Sequence, residues 1–183
     1  MKIRFVAIAA LLVAGLMIGG CPLISGQFQI PVTLPDPIDA NSASSIAGAQ
    51  IDLNNESTYK DHKSNLKDIV DIALLGKVSN LGSGTVDVVV YMTPALTNYT
   101  SKSALDGDAT KKQVWGPFSV TAGSPVQIKW DQSAKLFSAA GKQAILDEVK
   151  GDGQFTLYAV SSASTYHLQL TNGVLVVVID AGQ

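Results

Sequence analysis

The stretch Leu168-Gln-Leu-Thr-Asn-Gly-Val-Leu-Val-Val-Val-Ile179 carries most of the information about the fold class. Its second half is unbroken aliphatic and mostly β-branched, and such side chains are stiff at χ1 and pack well on a pleated surface. A short run that is apolar on both faces belongs in the middle of a sheet, covered from both sides. Asn172 and Gly173 both tolerate positive φ and form the strongest short hairpin signal in the chain. Leu168–Leu170 and Val174–Ile179 are therefore predicted to fold back on each other.

Reading upstream, the same period of two recurs. Phe155, Leu157 and Ala159 mark a strand, entered from a helix that Gly151 and Gly153 stop. That helix is capped by Asp131 or Ser133 and buries Leu136, Phe137, Ala140, Ala144, Ile145 and Val149 on one face. Phe118, Val120 and Ala122 alternate into Gly123-Ser124-Pro125, and Val126, Ile128 and Trp130 alternate away, which predicts a second hairpin. Ile72, Leu74 and Val78 lead through Asn80-Leu-Gly-Ser-Gly84 into the apolar strand Thr85 to Met92, a third. Between them, residues 93 to 112 read as a long polar loop. An amphipathic helix is expected over 56–69, opened by Asn54-Asn55-Glu56, with Tyr59, Leu66, Ile69 and Val70 at near-helical spacing. Ala49, Ile51 and Leu53 form a short strand before it. Farther back, Phe28, Ile30, Val32 and Leu34 alternate among prolines, as an edge strand or an extended stalk.

Seven or eight short strands with two helices make the chain mainly β, an antiparallel β-sandwich with two helical insertions. The alternative is α+β, with both helices on one face of a single antiparallel sheet. The 183 residues, 46% hydrophobic and 15% charged with mean hydropathy +0.24, supply enough apolar side chains for one core and exclude a disordered chain. A single cysteine excludes an intramolecular disulfide.

The N-terminus has another character. Lys2 and Arg4 precede an apolar run from Phe5 to Ile18, the layout of an export signal and too short to span a bilayer comfortably. It ends in Leu16-Met-Ile-Gly-Gly-Cys21. This resembles the lipobox of bacterial lipoproteins, in which an aliphatic residue and two small residues precede a cysteine that receives diacylglycerol, with cleavage before that cysteine. The resemblance implies a signal peptide over 1–20 and lipidation at Cys21. It also implies attachment to a membrane through diacylglycerol and acyl (palmitate) chains. Pro22 after the cysteine, where Asp would direct retention elsewhere, implies the outer membrane of the cell envelope. Residues 21–47, rich in Pro and Ser, then read as a tether and 48–183 as the β-rich globular domain. The phrases Phe118–Gly123, Trp130–Ser133 and Phe155–Ala159 are similar to segments of bacterial lipoproteins of unknown function, which brings no activity with it.

Without residues 1–20 the chain has 11 Lys, no Arg and 15 Asp+Glu, a formal charge of −4. No guanidinium remains to grip phosphate bidentately and no basic stripe exists, so nucleic acid is not an expected partner. Of the two histidines, His62 and His167, a zinc site would need both plus a carboxylate, and a serine triad has no Gly-x-Ser-x-Gly elbow to support it. Asp106-Gly-Asp108 with Thr110 offers oxygens of the kind calcium takes but lacks the remaining positions of an EF-hand loop, and reads as a polar turn. Tyr91, Tyr99, Trp115, Trp130, Tyr158 and Tyr166 are the candidates for a stacking surface, with Trp130 expected inside and Tyr91 and Tyr158 outside. No catalytic residue, metal or cofactor is assigned. The expectation is a non-enzymatic, lipid-anchored envelope protein that binds or supports an envelope partner. The alternatives are a carrier of a small apolar or glycan ligand, which needs an open pocket, and an envelope hydrolase, which needs a histidine within reach of both a serine and a carboxylate.

Overall fold

A computed structural model of the chain describes residues 26–42 and 45–182. In chain order the elements are β1 (Gly26–Thr33), β2 (Ile38–Asn41), β3 (Ser45–Ile46), β4 (Gly48–Asp52), α1 (Ser57–His62), β5 (Leu66–Asn80), β6 (Thr85–Pro94) and α2 (Lys102–Asp106). β7 (Lys112–Thr121), β8 (Val126–Ile128), α3 (Trp130–Leu136), α4 (Ala139–Lys150), β9 (Gln154–Ser161) and β10 (His167–Ala181) follow. One sheet runs β3-β2-β10-β5-β8 with β1 also beside β10, and the other runs β4-β9-β6-β7. Every named strand pair is antiparallel. The protein is thus the mainly β sandwich expected, and the single-sheet alternative falls.

The aliphatic run is central, as its two apolar faces require. β10 lies between β1 and β5, and Leu175, Val177 and Ile179 point into the sandwich with no exposed surface. The expected hairpin at Asn172-Gly173 is absent: β10 is one strand of 15 residues with a bulge there. Asn172 takes a positive φ of 52°, and the register with β5 shifts between Thr171 and Val174. Opposite sits Gly76 at φ 143°, where a Cβ would lie 2.8 Å from Leu170 Cδ1 and 3.2 Å from Gly173 Cα. Positive φ thus serves a kink in a continuous strand, because β1 and β5 flank β10 and reward its extension through the bulge.

The other two hairpins are also corrected. β5 and β6 lie in different sheets, and so do β7 and β8. Both turns are arches that carry the chain across the sandwich. One edge of β5 is filled by β10 along its length and the other by β8 and α3, which leaves β6 no place beside it. Asn80 holds the arches together: its amide reaches the carbonyls of Gly84 (3.2 Å) and Val120 (3.4 Å), and its carbonyl oxygen accepts from Gly82 N (2.9 Å).

Both helices are shorter than expected. The one over 56–69 stops at His62, and Leu66, Ile69 and Val70 belong to β5, where Ile69 faces inward. Its approach is capped by Asp52, whose carboxylate accepts from Asn54 N at 3.0 Å, rather than by an asparagine. The second breaks at Phe137-Ser138 into α3 and α4, because Ser138 caps a new start by accepting from Gly141 N at 2.9 Å, and Ala140 is exposed. The segment before residue 48 is built into the sheet. β1 pairs with β10 through eight residues and Ile30 is fully buried, so the packed body reaches back to Gly26, ahead of the boundary expected at 48. Inside, the two sheets close on each other, leaving among the described residues an apolar cavity of about 20 Å³ beside Leu34, Leu74, Val90 and Leu157.

Candidate functional site

The outer face of the second sheet carries the polar chemistry. Along β6 and β9, Val90, Met92 and Leu157 point inward, so the alternation turns Tyr91, Thr93, Thr156 and Tyr158 outward. The segment 95–111, within the stretch 93 to 112 read as a loop, contains the short helix α2, crosses that face and is pinned to it. Tyr158 Oη accepts from Tyr99 N at 2.9 Å and pairs with Thr97 Oγ1 at 3.0 Å. Thr93 Oγ1 meets Thr97 Oγ1 at 2.6 Å, and Thr156 Oγ1 accepts from Thr97 N at 3.0 Å while reaching Ala95 O at 3.1 Å. Gly48, opposite Tyr158 on β4, makes room for this ring, because a Cβ there would lie 2.6 Å from its Cε1. Leu105 of α2 completes the cover and is fully buried.

Carboxylates lock the far side of the segment. Asp106 pairs with Lys102 at 2.5 Å and Lys111 at 3.2 Å. Asp108 Oδ1 accepts from Thr110 N at 2.7 Å and Oγ1 at 2.6 Å, and its Oδ2 accepts from Tyr99 Oη at 3.1 Å. The bond from Lys102 holds the Asp106 carboxyl below its ordinary range, and the bonds from Thr110 do the same for Asp108. Conversely, the bond to Asp108 raises the Tyr99 phenol and the bond to Asp106 raises the Lys102 ammonium. The Asp106-Gly-Asp108 oxygens are thus engaged in a turn and two lysine pairs. Among the described residues, no three His, Cys, Asp or Glu side chains gather as a metal would need.

Beside the pinned segment lies an open cleft of about 190 Å³, walled by Tyr91, Lys102, Gln113, Ser161 and Ser162. A second groove, of about 170 Å³, opens by the arch at 80–84 between Ser42, Ser83, Thr165, Tyr166 and His167.

The six aromatic candidates do not form one flat exposed surface. Tyr91 faces outward and is half-buried, as expected. Tyr158 also faces outward but is fully buried, because the segment 95–111 lies over it. Trp130, expected inside at the end of a strand, instead opens α3, half-buried, with Nε1 donating to Asp71 Oδ2 at 2.9 Å. Trp115 is buried and donates to Ser133, and Tyr99 is half-buried against Tyr158. Tyr166 is buried, and its hydroxyl has no hydrogen-bond partner. Sequence reasoning missed this, since a buried phenol without a partner arises only from tertiary placement.

His62 stacks on Phe28 with ring centroids 3.6 Å apart, and His167 Nε2 lies 3.5 Å from Asp39 Oδ1. Among the described residues neither imidazole hydrogen-bonds a serine. Cys21 and the segment 1–20 lie outside the described residues. Among those described, no helix is long and apolar enough to cross a membrane.

No protein family and no curated protein matches the chain. Among solved structures, it is similar to a chain of infectious bursal disease virus, Gt strain, at 11% identity and TM-score 0.27, over 85% of this chain and 31% of that one. A chain of the Gx strain is similar at 10% identity and TM-score 0.27, over 86% of this chain and 39% of that one. The chain therefore spans about a third of the length of these viral chains.

Proposed function

We propose that this protein is a non-enzymatic binding or structural module of the bacterial envelope, held to a membrane, on the lipobox resemblance the outer one, by lipid on Cys21. The observation that carries the module reading is the filled interior. A carrier that encloses an apolar ligand needs a cavity of roughly 300 Å³ or more, and the cavity between the sheets beside Leu34, Leu74, Val90 and Leu157 holds about 20 Å³. Partner contacts then fall to the outer surface, where the cleft beside Tyr91 and the groove beside His167 lie. The hydrolase reading finds less support, because among the described residues no serine hydrogen-bonds His167, which lies beside Asp39.

Intact mass and membrane fractionation of the expressed protein beside Cys21→Ser test the anchor. The wild type is expected in membranes with a mass matching loss of residues 1–20 and gain of acyl chains, and the variant is expected soluble or unprocessed. An unacylated wild type cleaved elsewhere would instead make this a secreted or periplasmic domain.

A further inference from the structure

The outer face of the first sheet is apolar at its centre. Leu175, Val177 and Ile179 of β10 belong to the core, so the alternation turns Val174, Val176 and Val178 outward, and their partners on β5, Leu75, Ala73 and Asp71, share that face. Ala73, Val176 and Val178 are buried yet stand outside the core cluster, and Val174 and Leu75 are half-buried. The Trp130 indole reaches the same face, since its Nε1 donates to Asp71 Oδ2 at 2.9 Å. Val70, the extra residue of the bulge between Ile69 and Asp71, is 43% exposed. An antiparallel sheet with one solvated face alternates apolar and polar residues, and β10 does not. Its run of valines needs cover on both sides, whereas the described elements that pack along it are its sheet neighbours β1, β2 and β5. A contiguous apolar patch rimmed by polar residues marks a docking surface.

The charges at the two ends of the patch say what docks there. At one end Asp68 and Asp180 lie directly opposite each other on β5 and β10, and among the described residues neither has an ion-pair partner. Asp71, next along, is already paired with Lys142 at 3.5 Å. At the other end Lys77 is exposed and likewise without a carboxylate partner among the described residues. With the bulge residue Val70 left out of the count, Asp68 and Lys77 lie four positions on either side of Ala73, whose partner on β10 is Val176. A second copy laid face to face, its strands running the opposite way about a two-fold axis through the Ala73–Val176 row, therefore sets Lys77 of each copy over Asp68 of the other and packs valines on valines. Sheets stack face to face in this aligned manner. Strands running the same way would instead bring Asp180 of one copy onto Asp180 of the other, and like charges brought together are destabilising. With α3 counted beside β1, β10 and β5, four elements at about 4.8 Å spacing and about eight residues of about 3.3 Å give roughly 500 Å² per copy. The total of roughly 1,000 Å² is the least that a specific interface buries, so the pair is a weak one that dissociates in the micromolar range.

We infer that this face is a self-association surface, on which two copies of the chain pack as an antiparallel two-fold pair held by the valine patch and by Lys77–Asp68 contacts. The inference goes beyond the binding-module reading and does not depend on the anchor. Lipids at the Gly26 ends would lie at opposite ends of such a pair, which suits copies free in solution or copies on facing membranes.

The test is sedimentation equilibrium of the full chain carrying Cys21→Ser, which removes the site of the lipid, beside Leu75→Glu, Asp68→Lys and Lys77→Glu in the same background. The parent is expected to dimerise reversibly, and Leu75→Glu to weaken the dimer by about tenfold or more, because it places a charge in the apolar centre. Asp68→Lys and Lys77→Glu should each weaken it by about threefold or more through like charges across the interface, and a 1:1 mixture of the two should regain the parent's affinity, since every facing pair is then complementary. Unfolding temperatures of the dilute variants report that the monomers are intact, and if Leu75→Glu does not fold, the two charge variants decide alone. The inference is overturned if the parent is monomeric at about 1 mM, which leaves the patch to a different protein or to the chain's own residues 5–18. It is equally overturned if association ignores the substitutions or if the mixture associates no better than its components. Any of these results would leave the lipid anchor and the module reading standing.

Discussion

Ser133 joins the two sheets through one hydroxyl. It is fully buried on α3, and its Oγ accepts from Leu74 N of β5 at 2.8 Å and from Trp115 Nε1 of β7 at 3.1 Å. Trp115 also reaches the Ser133 carbonyl at 3.2 Å, so the indole keeps one partner if the hydroxyl is lost. Leu74 does not: its amide faces the edge of β5 beyond the three residues paired with β8, where α3 takes the place of a strand. Ser133→Ala should therefore cost about 2 kcal/mol, within the range for leaving a buried donor unsatisfied. That corresponds to a fall of about 6 °C in the midpoint of thermal unfolding for a chain of this size. A change below 1 °C would mean that the Leu74 amide finds water. In the sequence Ser133 is legible only as a possible helix cap, because its two donors come from strands 59 and 18 residues away.

At the scale of elements, α4 meets β7 with no space between them at Gly141. A Cβ on this residue would lie 2.5 Å from Val114 O and 2.6 Å from Val114 Cα, and backbone cannot step aside as a flexible side chain can. In an exposed helix Gly→Ala stabilises by about 1 kcal/mol. Here Gly141→Ala should instead destabilise by about 2 kcal/mol through overpacking, read as a lower urea midpoint with an unchanged slope. The pinned segment 95–111 responds to acid. The folded-state pKa values of Asp106 and Asp108 are depressed below 3.8, so what they contribute is fully present above that value and is lost as pH falls through the lower folded value. Below pH 3.8 the NMR methyl signals of Leu105 should shift toward solvent-exposed positions before those of Leu175 in β10 do. Coincident changes would show that the segment has no independent release. Strands were legible because alternation reports which side of a strand is buried. Their pairing was not, since Asn80–Gly84 and Gly123–Pro125 signal only that the chain turns, and an arch and a hairpin use the same residues. The Asn172-Gly173 signal failed similarly: positive φ serves a bulge as well as a turn. The cleft was legible only through Tyr91, whose outward position follows from the inward Val90, whereas the Tyr166 hydroxyl depends on contacts that no local pattern encodes.

Across the whole molecule, β10 gives the body its long axis. Its 15 residues span about 45 Å at roughly 3.3 Å each, with Ala181 beside Gly26 at one end and His167 beside Asn41 at the other. Gly26 lies five steps along the chain from Cys21, and a chain reaches at most about 3.6 Å per residue, so a lipid on Cys21 would hold the Gly26 end within about 18 Å of the anchored residue. That end would face the bilayer, and the Tyr166–His167 end would point away from it. The arrangement requires that the body begin at Gly26. Two truncations separate this from a longer tether. Removing residues 1–25 leaves β1 whole and should leave the unfolding temperature within about 2 °C of the unlipidated protein. Removing residues 1–33 strips β1 from β10, uncovering its edge over eight residues and exposing the pocket that Ile30 and Val32 fill. Each of those side chains contributes about 2 kcal/mol when buried. The second truncation should therefore lose at least about 4 kcal/mol and unfold about 10 °C lower, or fail to fold. Equal unfolding temperatures for the two would return residues 26–33 to the tether and release the body from its position close to the membrane.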